Sequence, residues 1–323
     1  MTTQCSSAWM LLTALFVCGC EDKPITADDT GDTSGDTVTD DTDDTEPQVV
    51  WVNERAETSD TFNGVYASGR GVYVVSTDSG LYTFTSSGGW TVEELAVDEE
   101  DLKGLWGQGQ EDTLSMVAVG DAGWVVQHTT AGSQIEDLGT ANFEGVDASG
   151  DSFIVAVGWG GAYVNTGAAW AYEALPNHER LNDVWVTGTS AIAVGEEGAI
   201  VRRQSDSWVS MESPTDDPIN GIDGSADNDL WAVGQDGLVM HFDGSLWTLQ
   251  EAFTSQTLWA VYAPAASSVF AVGNNGTAFH YDGQVWRELL TGVDENLYAI
   301  HGASTDDCWA VGNRGTALHY TGG

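Results

Sequence analysis

The chain has very few basic residues. Only nine of its 323 residues are Lys or Arg, against 50 Asp or Glu, and the formal net charge is −41. Nucleic-acid binding requires clustered Lys and Arg that neutralise phosphates, and anionic membrane surfaces attract the same kind of cluster. The composition therefore argues against a nucleic-acid partner and against direct electrostatic binding to a membrane. It favours solubility as the main consequence of the charge.

Cysteine is also scarce. The four cysteines are Cys5, Cys18, Cys20 and Cys308. The first three lie within the first 20 residues, so no disulfide can form inside the region that carries the repeats described below. Cys308 stands at a position that other repeats fill with an apolar strand residue, and we expect it to be a small buried side chain rather than a reactive thiol.

The N-terminal apolar run, residues 8–19, has the length of a signal peptide and is too short to span a bilayer comfortably. It ends in Val17-Cys18-Gly19-Cys20. This ending resembles the bacterial lipoprotein signal, which implies cleavage after residue 19 and lipidation of Cys20. We therefore expect a lipid anchor and a location in the bacterial cell envelope, in the outer membrane and facing the periplasm or the surface. One feature departs from the lipoprotein pattern, since the first seven residues carry no Lys or Arg. The alternative is an ordinary secretory signal that is cut nearby.

Residues 20–48 consist mostly of Asp, Thr, Gly, Ser and Glu. Such a segment cannot bury enough apolar area to offset the entropy lost on ordering, and its like charges repel. The composition predicts a disordered acidic tether between the signal and a folded domain at residues 49–323. That domain holds 39 of the acidic residues and eight of the Lys and Arg residues.

A repeat of about 39 residues runs through this domain. The motif Ala-Val-Gly recurs six times, with spacings of 38, 37, 39, 39 and 39 residues, and a second Gly follows three residues after each motif glycine. An earlier, degenerate copy is Val74-Val75-Ser76 with Gly80. The motif glycines are Gly120, Gly158, Gly195, Gly234, Gly273 and Gly312.

Each repeat reads as four short strands joined by Gly and Asp turns, which is typical of one β-propeller blade. The fourth strand usually carries a Trp, but the last repeat ends before its fourth strand begins. Residues 49–52, which include Trp51, form a strand-like segment that belongs to no other repeat. We therefore predict an all-β, seven-bladed propeller in which this N-terminal strand completes the last blade and removes the unpaired ends.

The repeat, seen in Asp229-Leu230-Trp231-Ala232-Val233-Gly234 with His241-Phe242-Asp243-Gly244 and Trp247, resembles a repeat of secreted myxobacterial lipoproteins. It is also similar to the propellers of photosystem II assembly and stability factors and, more distantly, to sialidase-type repeats. The photosystem resemblance implies docking of partners through basic surface, of which this chain has little. The sialidase resemblance implies an arginine cluster, and the arginines here fall at unrelated repeat positions.

One position of the first strand varies in chemistry from blade to blade and is the predicted ligand-binding ring. It lies two residues after a position that is small in almost every repeat, and residues two apart in a strand share a side-chain direction. We expect these side chains to surround one end of the central channel and to contact a sugar or a peptide. The alternative is that they only fill the axial region. The ring residues are Tyr66, Trp106, Asp147, Trp185, Asp223, Tyr262 and His301.

The sequence favours a non-catalytic binding or scaffolding module, monomeric, with a protein or glycan ligand at one channel face. We expect no catalytic residues and no cofactor. We also expect no metal site, because the equivalent residues His241, His280 and His319 belong to different blades and cannot converge on one ion. The alternative is a carbohydrate-active propeller enzyme, a glycosidase or lyase, in which Asp147 and Asp223 form the acid/base pair. A purely structural spacer is a third interpretation.

Overall fold

The structure is a computed structural model that describes residues 51–97, 101–177 and 180–322. It contains 28 strands in seven four-stranded antiparallel sheets. The strands are β1 (Trp51–Asn53), β2 (Phe62–Ala67), β3 (Val72–Ser76), β4 (Gly80–Thr85), β5 (Gly89–Glu94), β6 (Leu102–Gln108), β7 (Ser115–Gly120), β8 (Trp124–Thr129), β9 (Gly132–Asp137), β10 (Asn142–Ala148), β11 (Ile154–Trp159), β12 (Gly161–Asn165), β13 (Trp170–Glu173), β14 (Leu181–Thr187), β15 (Ser190–Gly195), β16 (Ile200–Gln204), β17 (Ser207–Ser210), β18 (Ile219–Ala226), β19 (Asp229–Gly234), β20 (Val239–Phe242), β21 (Trp247–Leu249), β22 (Leu258–Ala265), β23 (Ser268–Gly273), β24 (Ala278–Tyr281), β25 (Trp286–Glu288), β26 (Leu297–Ser304), β27 (Asp307–Gly312) and β28 (Ala317–Tyr320).

Within these three ranges the helical elements are seven 3₁₀ turns, at Thr77–Ser79, Glu111–Thr113, Asp121–Gly123, Glu196–Gly198, Gln235–Gly237, Asn274–Gly276 and Asn313–Gly315. No helix in the described part of the chain is long and apolar enough to cross a membrane. The predicted signal peptide (1–19), the lipidation site Cys20 and the predicted tether (20–48) lie outside the described residues, as do Val49 and Val50.

The seven sheets are the blades of a β-propeller, which confirms the predicted fold class. Blades one to six contain β2–β5, β6–β9, β10–β13, β14–β17, β18–β21 and β22–β25, and blade seven contains β26, β27, β28 and β1. The first strand of each blade contacts the first strand of the next, and β26 of blade seven contacts β2 of blade one. These contacts close the ring around a central channel.

The N-terminal strand completes the last blade as predicted. Strand β1 pairs antiparallel with β28, with Trp51 opposite Tyr320 and Asn53 opposite Leu318. The pairing continues beyond the strand, because Ala56 N–H donates to the carbonyl of Gly315 at 2.9 Å. The ring therefore has no unpaired ends among the described residues.

Fourth-strand tryptophans anchor neighbouring blades to one another. The Trp90 ring of blade one meets Trp309 of blade seven at 6.5 Å, edge to face, and Trp286 of blade six meets Trp231 of blade five at 5.5 Å in the same geometry. Edge-to-face pairs of this kind add to the stabilisation that the buried aromatic area already gives. The repeated Trp is therefore explained by packing between blades.

The recurrent histidines have a structural role inside their own blades. The His241 ring packs at a tilt against Trp231 of the adjacent strand, with ring centroids 4.5 Å apart, and its Nε2 lies 2.8 Å from Asp229 Oδ1. His319 makes equivalent contacts with Trp309 and Asp307 in blade seven. Each histidine thus fixes the start of the second strand. In the described ranges no group of three or more His, Cys, Asp or Glu side chains is arranged to hold a metal ion.

Candidate functional site: the central channel and its mouth

The central channel is built from the first strand of each blade. In six of the seven blades one residue near the start of this strand is Gly or Ala, because it faces the first strand of the next blade. A Cβ built on Gly64 would stand 2.9 Å from Leu105 Cβ, and one on Gly104 would stand 3.0 Å from the backbone nitrogen of Val146. Larger side chains at this position would push neighbouring blades apart. The channel encloses a cavity of about 300 Å³.

The predicted ligand-binding ring is brought together around this channel, and all its members except Tyr66 line the cavity. Their side chains share the direction of the small residue, so they also face the next blade. Most of them are engaged there: the Tyr66 hydroxyl donates to the carbonyl of Gly109 at 2.7 Å and the Tyr262 hydroxyl to that of Gly302 at 2.7 Å. The Trp185 indole Nε1 donates to the carbonyl of Gly224 at 3.1 Å.

Three ring members accept hydrogen bonds from the next blade. Asp147 Oδ2 accepts from the backbone N–H of Val186 at 2.5 Å, and Asp223 Oδ2 from that of Ala263 at 2.7 Å. His301 Nδ1 accepts from Ala67 N–H at 3.2 Å, across the junction of blades seven and one. The seventh member, Trp106, is half-buried and packs against the core between blades two and three.

These hydrogen bonds join the inner strands of adjacent blades. They support the alternative in which the ring fills and fastens the axial region. Ligand binding by the ring stays a prediction. The same side chains also have edges that face the channel, and these hydrogen bonds do not involve those edges.

A third channel carboxylate, Asp183, was not predicted. It occupies the small position in blade four, and its Oδ2 accepts from the Ile222 N–H of blade five at 2.9 Å. Burial raises its pKa to about 7, and the charge of Asp223 adds to the shift. Burial likewise raises the pKa of Asp223 to about 6 and raises that of Asp147 well above its usual range. The only sign of Asp183 in the sequence was that blade four has Asp where the other blades have Gly or Ala.

The pKa of His301 is shifted in the opposite direction to the pKa values of the carboxylates. Burial lowers its pKa to about 4, against an ordinary value of 6.5, because desolvation disfavours the imidazolium. The neutral form is also the one whose Nδ1 can accept from Ala67. His301 is therefore neutral at physiological pH.

The channel carboxylates are expected to make the folded domain less stable as the pH rises from about 4 to about 7. Their folded-state pKa is raised, so the stabilisation is complete below the unfolded value of 3.8 and is lost as the pH rises through about 6 and 7 for Asp223 and Asp183. His301 contributes stabilisation that is complete above 6.5 and lost as the pH falls through about 4. The Asp183→Ala variant is expected to lose less stability over the window than the unsubstituted chain.

Urea-unfolding midpoints at about pH 4.5 and 7.5 measure this difference. The matched control is Asp227→Ala, which removes the same charge from an exposed position. An equal fall in midpoint for Asp183→Ala and for the unsubstituted chain would contradict the assignment.

The mouth of the channel, at the start of the first strands, is a second ring that sequence reasoning missed. It opens into a depression of about 510 Å³. The residue that lines it directly follows a buried apolar residue at the start of each first strand, such as Phe62 in blade one and Phe143 in blade three. Members of this mouth ring are Asn63, Lys103, Glu144, Asn182, Asn220, Trp259 and Tyr298.

Three asparagines of the mouth ring fasten it to the next blade. The Nδ2 atoms of Asn63, Asn182 and Asn220 donate to the carbonyls of Leu102, Ile219 and Leu258 at 2.8, 2.9 and 2.9 Å. The mouth is therefore pre-organised, since its polar side chains already have fixed directions before any partner arrives.

The charged part of the mouth is an alternating network. Lys103 Nζ lies 2.8 Å from Asp121 Oδ1 and 3.2 Å from Glu144 Oε1, and Arg180 Nη2 lies 3.9 Å from the same Glu144 oxygen. Burial disfavours the charge of Lys103, but its hydrogen bond to Asp121 and the charge of Glu144 outweigh that effect and raise its pKa. Lys103 is thus held as a cation inside a strongly acidic domain.

The opposite side of the mouth is aromatic. The Trp259 and Tyr298 rings meet at 5.6 Å, and Trp259 Nε1 donates to Asn274 Oδ1 at 2.7 Å. Both rings are half-buried. The mouth thus combines fixed amides, a charge network and two aromatic faces. The variation of this position from blade to blade is visible in the sequence, but the predicted ring lies three residues further along each strand.

The fold and channel define the chain as a seven-bladed β-propeller with a ligand-sized, chemically varied mouth. No family model matches the chain, and no curated protein does. Among solved structures it is similar to "YCF48 bound to D1 peptide", with a TM-score of 0.69 and 17% identity over 84% of this chain and 97% of that one.

Two further solved structures share the fold. The virginiamycin B lyase from Staphylococcus aureus has a TM-score of 0.74 and 13% identity, over 83% of this chain and 98% of that one. The WD40 propeller domain of Doa1 has a TM-score of 0.67 and 11% identity, over 83% of this chain and 94% of that one. The YCF48 match agrees, at the level of fold, with the resemblance to photosystem II assembly factors. At these identities the likeness concerns the fold alone.

Proposed function

We propose that this propeller is a non-catalytic binding or scaffolding module that takes a segment of a partner protein at the channel mouth. The observation that carries the proposal is the mouth ring. Its position is equivalent in all seven blades, yet it holds amides, charges and aromatics in fixed directions around a depression of about 510 Å³. Binding pockets combine apolar walls with a few placed polar groups in this way.

The comparison with YCF48 supports a peptide ligand over a glycan. That protein, which shares this fold, is bound to a D1 peptide in its solved structure. The predicted ring one layer deeper in the channel, from Tyr66 to His301, belongs to the same proposal as the floor that a bound side chain would reach. A protein segment uses both layers, because backbone groups can satisfy the mouth amides while one side chain enters the channel.

The proposal includes an anchor in the bacterial cell envelope. What supports it is the sequence of the first 48 residues: the apolar run, the ending Val17-Cys18-Gly19-Cys20 and the acidic segment that follows. An anchor would hold the propeller at the membrane by lipid on Cys20, while the net charge keeps the domain itself off anionic headgroups.

The alternative function is a propeller enzyme that acts on carbohydrate. It is favoured by the raised pKa of Asp147 and Asp223, since a carboxyl that stays protonated near neutral pH can act as a general acid. An observation against the enzyme is that one oxygen of each carboxylate already accepts a hydrogen bond from a backbone N–H of the next blade. Release of reducing sugar from envelope polysaccharide by the unsubstituted chain, lost in Asp223→Asn, would favour the enzyme.

The double variant Trp259→Ala/Tyr298→Ala is expected to lose its co-purifying protein partner. Both rings stand at the mouth, and truncation of a central aromatic contact commonly weakens an interface by about tenfold or more. The measurement is affinity purification of the full-length chain from detergent-solubilised membranes, with bound proteins quantified by mass spectrometry. Bound glycans, detected in the same eluate, would instead identify a carbohydrate ligand.

The matched control is Leu246→Ala/Leu249→Ala on the outer strand of blade five, where both side chains are about half exposed. This control is expected to retain the partner. Retention by the mouth variant as well would refute the proposed site. In the same preparation, a Cys20 that mass spectrometry shows to carry no covalently bound lipid would refute the lipid anchor.

A further inference from the structure

Blade three has an unusual turn at the mouth face. In the other six blades the turn between the second and third strands begins with a polar or charged residue; these are Thr77, Asp121, Glu196, Gln235, Asn274 and Asn313. Blade three has Trp159 instead, followed by Gly160 and Gly161 with φ of 94° and 147°. Five other blades also have positive φ at these two positions, but the first is not glycine there (Ala122, Glu197, Asp236, Asn275 and Arg314). Blade three therefore differs in placing two glycines, which adopt positive φ without steric cost, directly after a large aromatic side chain.

The group that packs against the second glycine of this turn is also different. In blades two, four, five, six and seven, a side chain on the second glycine would collide with a backbone oxygen of the segment leading to the next blade. In blade three a side chain on Gly161 would collide with the ring of Tyr172. An aromatic side chain therefore occupies the place that backbone occupies in those blades.

The result is an exposed aromatic corner made of Trp159, Tyr172 and Arg180. Trp159 is 48% exposed and Tyr172 is 54% exposed. The Arg180 guanidinium carbon lies 3.7 Å from the centre of the Trp159 ring, so it covers one face of the ring and fixes its direction. Exposed Trp and Tyr beside Arg is the composition of energetically important positions in protein interfaces.

A groove of about 570 Å³ begins at this corner and is lined by Arg180, Glu196, Glu197 and Met211, among others. Arg180 also lines the depression at the channel mouth, so the groove leads into the proposed binding site. The backbone N–H of Glu196 donates to the carbonyl of Arg180 at 3.0 Å, which holds the two carboxylate-bearing residues beside the corner.

The charge of the groove identifies its partner. Glu196 and Glu197 form no ion pair within the described ranges. Arg180 is partly balanced by Glu144 at 3.9 Å and faces Trp159, so its charge is directed into the corner. The surrounding domain, residues 49–323, has 39 acidic residues against eight Lys and Arg. Such a field attracts basic partners and repels acidic ones.

We infer that the aromatic corner and its groove bind a basic protein segment, with an apolar side chain on the open side of Trp159 and a neighbouring Lys or Arg between Glu196 and Glu197. This inference rests on the proposed function and names the chemistry of its partner. Arg180 belongs both to the corner and to the groove that Glu196 and Glu197 line, so an extended segment with an apolar residue next to a cationic one can contact both.

The test uses the full-length chain and three short fluorescent peptides: alternating leucine and lysine, alternating leucine and glutamate, and alternating serine and lysine. The leucine–lysine peptide is expected to bind, with an affinity that falls as salt rises, and the other two to bind at least about tenfold more weakly. Fluorescence anisotropy measures the three affinities. Equal or stronger binding of the leucine–glutamate peptide would overturn the inference, as would no binding of any peptide up to about 1 mM.

Two variants locate the site. Trp159→Ala is expected to lower the affinity for the leucine–lysine peptide about tenfold. Glu196→Gln/Glu197→Gln is expected to lower this affinity and to reduce its dependence on salt. The matched controls are Leu246→Ala and Glu93→Gln/Glu94→Gln, which remove the same kinds of group from exposed outer strands. Equal losses in the controls would show non-specific attraction and overturn the inference.

The outcomes separate the inference from the proposed function. If Trp159→Ala keeps both the peptide and the membrane partner while Trp259→Ala/Tyr298→Ala loses the partner, the mouth binds and the corner does not. If the partner survives all of these substitutions, the proposed function itself fails. Each variant is first checked by thermal melting, so that loss of folding is not read as loss of binding.

Discussion

Deletion of residues 49–53 is expected to lower the thermal midpoint by about 5–10 °C or more. The deletion removes β1, so it breaks the pairing of Trp51 with Tyr320 and exposes the edge of β28. Trp51 is only 4% exposed and its ring lies 5.4 Å from that of Tyr320. Removal of a buried Trp alone costs about 3–5 kcal/mol, and a domain of this size loses about 2–4 °C for each kcal/mol.

The measurement is a thermal melt followed by circular dichroism and tryptophan fluorescence. The control deletes five residues from the predicted tether, 40–44, which changes chain length equally and is expected to leave the midpoint unchanged. The substitution Trp51→Ala separates the side chain from the strand, and we expect it to reproduce most of the loss. A midpoint unaltered by the 49–53 deletion would show that the ring does not depend on this closure.

The substitution Glu173→Ala is expected to destabilise the domain by about 3–5 kcal/mol, because it leaves the buried Arg203 charge with only the exposed Asp206, at 3.2 Å, as an ion-pair partner. Arg203 of blade four is 5% exposed, and its Nε and Nη2 atoms reach the two carboxylate oxygens of Glu173 in blade three at 2.8 and 2.7 Å. The Trp208 indole donates to the same carboxylate at 2.9 Å. One side chain thus satisfies three donors at the junction of two blades.

Chemical denaturation with a linear extrapolation measures this loss. The double variant Glu173→Leu/Arg203→Met is expected to recover most of the stability, since replacing both members of a buried ion pair by apolar groups is often neutral. The control is Arg287→Ala, which breaks an ion pair with Asp282 at an exposed site and is expected to cost about 1 kcal/mol or less. A loss at Glu173 no larger than at Arg287 would contradict the role of the buried pair.

Much of the fold was predictable because each blade solves the same packing problem. The Ala-Val-Gly strand is buried on both faces in every repeat, so the same residue types recur at a spacing of about 39 residues. In blade five the four short strands predicted for each repeat are Ile219–Ala226, Asp229–Gly234, Val239–Phe242 and Trp247–Leu249. The assignment of Trp51 to the last blade followed from the missing fourth strand of the last repeat and the unassigned Trp-bearing segment at residues 49–52.

The site was less predictable because it depends on which side chains meet across blades. The sequence pointed to a ring from Tyr66 to His301, and the structure uses most of that ring to join inner strands. The pair Arg203–Glu173 and the channel carboxylate Asp183 had no recurrent signal, since each departs from the repeat. The mouth ring recurs at one repeat position, but only the structure shows that this position lines the open end of the channel. Contacts between different blades join residues some 30 to 40 positions apart, as the 30 residues between Glu173 and Arg203 illustrate.

What the sequence by itself determined is the number of blades, their strands and the way the ring closes. These follow from local alternation, turn residues and a fixed period, which act within one repeat at a time. The tertiary structure decided the direction of the ring side chains. The first strand turns a backbone edge toward the axis, so Tyr66 packs with blade two and Val65 packs with blade seven. Side chains that share a direction along one strand therefore face a neighbouring blade, and the open mouth lies where those strands begin.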